Sequence, residues 1–170
     1  MLPDGLALPQ RLTGRELLTY FGLLRGLPAG MVAARASEVL SVLELTDAES
    51  TLIADYSTGM RKKIGLAAAV LHGPRVLVPD EPLEAVDPLS AMTISAILKG
   101  FTSGGGTVLL STHTMTLVEQ LCDHVAVMAD GAVLRSGTVQ QVSEGKSLTD
   151  AFAELIGVTP QTQGLSWFGS

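Results

Sequence analysis

Apolar residues in the first half of the chain recur at helical spacing. Thr13 with Glu16 three positions later forms a capping box, and Leu17, Leu18, Phe21, Leu24 and Leu27 then fall on one face. The pattern predicts a helix that stops near Gly26 and Pro28. Val32, Ala36, Val39, Leu40 and Leu43 predict a second helix over about Ala29 to Glu44. A third is expected from Ser57 to His72, opening on the basic turn Arg61-Lys62-Lys63 and closing at Gly73-Pro74.

From Val76 the period changes. Val76 to Val78, Thr107 to Leu110 and Val125 to Met128 are short apolar runs rich in β-branched residues, separated by helical stretches over about Leu89 to Phe101 and Met115 to Cys122. Strands apolar on both faces and alternating with helices predict a parallel sheet covered by helices. Asp130-Gly131, between Val127-Met128 and Val133-Leu134, predicts a two-residue hairpin and an antiparallel edge. One short helix over Leu148 to Ile156 and a polar Gln/Thr/Gly tail complete the pattern.

Composition narrows the class. A chain of 170 residues is long enough for one globular domain that buries roughly 70% of its unfolded surface. At 46% apolar and only 4% aromatic, it suits helices on a buried sheet. The longest continuous apolar run, Leu66 to Leu71, is far short of the ~20 residues that cross a bilayer. No basic start or long apolar stretch marks a signal peptide, and a single cysteine, Cys122, fits a reducing compartment. The net charge of −6 disfavours nucleic acid as a partner, because phosphate backbones attract Lys and Arg.

The candidate chemistry lies between Tyr56 and Asp130. Val76 to Glu81 is an apolar strand ending in Asp80 and Glu81. Such a strand can deliver one carboxylate to hold Mg²⁺ beside a nucleotide and the next to orient an attacking water, or the pair can simply cap the following turn. Ser57-Thr58-Gly59-Met60 opens a helix, where a hydroxyl and free N–H groups suit an anion; a serine N-cap is the plainer alternative. Asp87-Pro88 is an ordinary helix start as well as a candidate site element. His113 follows the strand Thr107 to Leu110, 32 residues after Glu81. His72 and His124 have no comparable context.

In order, Tyr56-Ser57-Thr58-Gly59-Met60, Val76 to Pro82, Ala85-Val86-Asp87-Pro88, Leu109 to His113 and Asp130-Gly131 resemble the second half of an ATP-binding-cassette (ABC) ATPase domain. The resemblance runs from Leu2 to about Ile156. It implies a truncated three-layer phosphate-loop NTPase fold of the ABC type: a helical subdomain, a mainly parallel sheet and a C-terminal β-hairpin. It implies domains over 1–55, 56–146 and 147–170. Within that family Asp80 and Glu81 correspond to Walker B, with Asp80 on Mg²⁺ and Glu81 catalytic. His113 corresponds to the switch histidine, whose neutral imidazole meets the γ-phosphate. Ser57, Thr58, Gly59 and Met60 correspond to the signature Leu-Ser-Gly-Gly-Gln, which contacts ATP held by the opposite subunit, and Asp87 to the D-loop between the two sites. Asp4 stands where the family has a metal-contacting glutamine. Tyr56, Thr58 and Met60 depart from the signature pattern.

The resemblance further implies ATP and Mg²⁺ as cofactors, a second ABC ATPase subunit and a transmembrane permease as partners, and a cytoplasmic place on the inner face of the membrane. The helical front, about Thr13 to Ala54, corresponds to the surface that docks the permease. Residues Leu12 to Leu17 and Tyr56 to Lys63 are most similar to bacterial exporter-type subunits. Paired cassettes or long coiled coils, as in cytosolic relatives without a transporter, are not visible.

Two departures bear on activity. Pro79 precedes Asp80, and because proline donates no ladder hydrogen bond it predicts a displaced or weakened strand end. The 170 residues also contain no glycine-rich phosphate loop ending in Lys-Ser or Lys-Thr. Gly145-Lys146-Ser147 is a decoy, with Gln140 where a glycine is needed and a helical turn before it in place of a strand. The chain alone is therefore expected not to hydrolyse ATP at a useful rate, as for a truncated gene or a misplaced start. The alternative is a non-catalytic half-domain that supplies Ser57, Gly59 and Asp87 in trans to a full-length partner. In the family the phosphate-loop strand is expected between the Walker B and switch-histidine neighbourhoods, so its loss predicts unpaired edges and exposed apolar surface.

Overall fold

The computed structural model describes residues 8–157, in two compact units that divide after His113. The first unit begins with α1 (Gly14–Leu24) and α2 (Ala29–Val42), followed by two single 3₁₀ turns at Thr46–Ala48 and Ile53–Asp55. Thr13 caps α1 in the expected box, accepting from the Glu16 N–H while the Glu16 carboxylate accepts from the Thr13 N–H. Leu17 and Leu18 are fully buried against Val32, Ala36 and Leu40 of α2. Leu24, predicted on the same face, is 66% exposed and is the last residue of α1.

α3 (Thr58–Val70) packs into this core through Ile64 and Ala67. It is shorter than the predicted 57–72, since Ser57 is its cap and Leu71 lies beyond its last turn. Then follow β1 (Val76–Leu77), α4 (Pro88–Ser103) and β2 (Thr107–Val108). β1 and β2 pair in parallel, Val76 with Thr107 and Leu77 with Val108, and an isolated parallel bridge between Asp80 and Ser111 extends the register. The two neighbourhoods are therefore adjacent, and the expectation of a strand between them is wrong. Leu109 N–H donates to Leu77 O at 2.9 Å and Ser111 N–H to Pro79 O at 3.2 Å, so the alternating rungs leave one position, Pro79 N to Leu109 O, that a proline cannot fill. Pro79 removes one rung without shifting the strand end.

The strands are not buried on both faces as predicted. Leu77 is buried and α4 packs against β2, while Val76 and Leu109, on the opposite face of the pleat, are 55% and 66% exposed. Among the described residues only one side of this pair carries a helical layer.

The second unit holds α5 (Met115–Leu121), β3 (His124–Ala129), β4 (Ala132–Thr138), α6 (Val139–Ser143) and α7 (Leu148–Leu155). The run predicted at Val125 to Met128 is β3, and it pairs antiparallel with β4 across Asp130-Gly131, as that hairpin signal predicts. A connection of two residues can only return the chain alongside itself, whereas a parallel neighbour needs a long crossover. Asp130 and Gly131 both take positive φ, 49° and 75°, as this hairpin turn requires. Val118, Val127, Val142 and Leu148 form the core of this unit.

Candidate functional site

The acidic end of the β1 segment gathers the first group of side chains. Asp80 and Glu81 are consecutive and engage different partners. The Asp80 carboxylate accepts from the Ser111 hydroxyl across the parallel register. Glu81 Oε1 accepts from the His113 backbone N–H at 3.0 Å and lies 2.8 Å from His113 Nδ1. The Glu81 side chain is mostly covered, at 21% exposure, while His113 is 70% exposed, so the carboxylate is the anchored member of the pair. The hydrogen bond that Glu81 accepts from the ring, reinforced by the carboxylate charge, raises the His113 pKa above the ordinary 6.5. Glu81 sits in the left-handed region at φ 41°, and its backbone N–H donates to Ser111 O at 3.1 Å.

The second group lies at the start of α3. Ser57 Oγ accepts from Met60 N–H at 3.2 Å, so Ser57 is an N-cap in this structure; Ser57 and Thr58 are exposed. Asp87 caps α4 in the same way, its carboxylate accepting from Ser90 N–H at 2.9 Å. That bond and one with the Ser90 side chain hold the Asp87 carboxyl below the ordinary 3.8. The two caps meet: a Cβ added to Gly59 would stand 2.8 Å from Asp87 Oδ2 and 2.9 Å from Ser90 Oγ, closer than side chains tolerate. Gly59 is therefore required here by the close approach of α4.

Tyr56 departs from the signature pattern for a local reason. Its ring is buried and its hydroxyl donates to Ala48 O at 2.8 Å, in space left open only because residue 14 is glycine. Burial, with Glu49 nearby, raises its phenol above the usual 10.

Ser111, Ser90 and Lys62 were not singled out from sequence. Ser111 lay inside a quoted motif, and its signal was register: a parallel partner strand brings it opposite Asp80. Asp4 lies outside the described residues. Lys146 of the decoy motif is tied to Glu154, at 2.7 and 2.8 Å from the two carboxylate oxygens, and Ser147 caps α7. Among the described residues no group of three or more His, Cys, Asp or Glu side chains is placed to hold a metal by itself, and no helix is long and apolar enough to cross a membrane.

Residues 1–84 match the family model described as ABC transporter. The chain belongs to the ABC transporter ATP-binding family. It is 36% identical over 81% of its length to the linearmycin resistance ATP-binding protein LnrL of Bacillus subtilis, covering 44% of that protein. It is 35% identical over 84% of its length to the daunorubicin resistance ATP-binding protein DrrA3 of Streptomyces coeruleorubidus, covering 45% of it. A solved structure titled as the ATP binding subunit of an ABC transporter superposes with TM-score 0.81 at 28% identity, over 88% of this chain and 65% of that one. The chain thus spans less than half the length of these curated relatives, while the ABC ATPase fold predicted from its motifs is the fold it has.

Proposed function

We propose that the protein to which these residues belong is an ATP-binding and ATP-hydrolysing subunit of an ABC transporter, powering transport through a transmembrane permease at the inner face of the membrane. The observation that carries this reading is the Asp80–Glu81 corner, with Ser111 on the first carboxylate and His113 on the second. A single carboxylate is the usual protein share of a nucleotide-bound Mg²⁺, which completes its shell with water and phosphate oxygens, so Asp80 fits that ion. When bound, Mg²⁺ neutralises charge on the phosphates.

The chain's own residues supply the rest. Ser111 keeps the Asp80 carboxylate turned toward the strand end, and Glu81, anchored by the His113 N–H, is placed to accept a hydrogen bond from an attacking water. His113, held beside Glu81 at the strand end, is on this reading the group that meets the terminal phosphate. Phosphate-loop lysine and backbone cradle come from outside these 170 residues.

A second reading is favoured by the junction of Gly59 with Asp87. These are the residues that, by resemblance, act on a partner's nucleotide, and they are packed together while the same 170 residues hold no phosphate loop. On this reading the chain completes a full-length partner's site. Calorimetric titration of the purified chain with MgATP tests the point common to both readings. Binding no tighter than millimolar is expected, and micromolar affinity would overturn the requirement for an outside phosphate loop.

A further inference from the structure

The three consecutive basic residues of α3 do not form an anion patch. Arg61 donates to Ala54 O at 3.0 Å, and Lys63, nearly buried, stands 3.5 Å from the Glu44 carboxylate. Lys62 does something different: its ammonium donates to the main-chain carbonyl of Glu81. Glu81 is a non-glycine residue at positive φ, a conformation that persists only where surrounding bonds over-determine it. Its bonds are the N–H to Ser111 O, the carboxylate to His113, and the carbonyl accepting from both Glu84 N–H at 3.3 Å and Lys62. Of these, only the one from Lys62 comes from α3, five residues after the Ser57 cap.

We infer that Lys62 is a positioning residue for Glu81, tying the helix that opens with Ser57–Met60 to the acidic corner so that a displacement of α3 is felt at the Glu81 carboxylate. The inference rests on the reading of Glu81 as the group that orients water. A helix whose first turn engages a partner's nucleotide and whose second turn grips the main-chain carbonyl of Glu81 would link occupancy of one site to geometry of the other. Lys62 is partly buried, which strengthens a charge-assisted bond to a carbonyl relative to the same pair in water.

Amide hydrogen exchange by NMR on the full chain tests this without nucleotide. In Lys62→Met, which keeps most of the apolar stem and removes the donor, the Glu81 and His113 amides should exchange about tenfold faster, the loss expected for a hydrogen bond to a charged group. The Leu71 amide, bonded to Ala67 O at the C-terminal end of α3, should be unchanged, and Lys62→Arg should restore protection. Exchange at Glu81 and His113 within twofold of wild type in Lys62→Met would overturn the inference. A uniform rise that includes Leu71 would also count against it, by showing a general structural role. Should Lys62→Met not fold, the wild-type ammonium resonances decide: Lys62 Nζ protons exchanging with water as fast as those of exposed Lys99 would overturn it, and slow exchange supports it. Because no step uses ATP, failure here leaves the hydrolase reading untouched, and micromolar or absent ATP binding leaves this result untouched.

Discussion

Gly14→Ala should destabilise the chain through one atom of a distant residue. The added Cβ would stand 2.2 Å from Tyr56 Oη and 3.3 Å from its Cζ. Tyr56 is 2% exposed, so the ring has nowhere to retreat. Forcing a carbon into a packed site costs about 1–3 kcal/mol, and displacing the hydroxyl from Ala48 O adds about 1 kcal/mol. Against this, alanine gains at most about 1 kcal/mol over glycine in a helix, and less in a first turn. The net loss is about 2 kcal/mol, a fall of roughly 1 M in the urea midpoint for a typical denaturant slope. Tyr56→Phe alone should cost about 1 kcal/mol, for the hydrogen bond it removes. In the Tyr56→Phe background the 2.2 Å clash is gone, and Gly14→Ala should be close to neutral. The double-mutant cycle therefore predicts a coupling of about 2 kcal/mol, read by urea unfolding followed with far-UV ellipticity. Equal cost of Gly14→Ala in both backgrounds would refute the account of why this signature begins with tyrosine.

Two further outcomes follow from the acidic corner. The His113 ring should titrate above 6.5, because Glu81 favours its charged form; Glu81→Gln should bring it back toward 6.5 by NMR. The sign for stability follows: a raised folded pKa contributes fully below 6.5 and is lost as pH rises through the folded value, and a stability gain over that rise would contradict the pairing. Pro79→Val should supply the missing rung, so the new amide should be protected from exchange at Leu109 O, with net stability within about 1 kcal/mol as the hydrogen bond offsets the lost rigidity of proline. An unprotected amide at position 79 would mean that the register between Leu77 and Asp80 is not the one described.

Most of the fold was legible where the deciding interactions are local. The Thr13–Glu16 box, the Ser57 and Asp87 caps, and the Asp130-Gly131 turn each lie within a few residues and appear as written. The direct pairing of β1 with β2 depends on which strand lies next to which, and apolar runs carry no such address. Likewise Tyr56 looked like a defect of the signature until Gly14, far away in sequence, was seen beneath its hydroxyl. Of the site, the acidic pair and His113 were marked by order and spacing. Ser111 and Lys62 were not, because their roles come from register across a strand pair and from the side of α3 that meets Glu81. Ser57 and Asp87 each cap their own helix, the plainer role that their residue types allow at a helix start.

The central claim is that these residues divide into those that serve a nucleotide held by this protein, Asp80, Glu81 and His113, and those that serve a partner's, Ser57, Gly59 and Asp87. ATPase activity of a full-length homologous subunit, measured with and without the purified chain, tests that division most directly. The account predicts stimulation that is abolished by Ser57→Ala in the chain and unaffected by Glu81→Gln. No stimulation, or an equal loss from both substitutions, would contradict it.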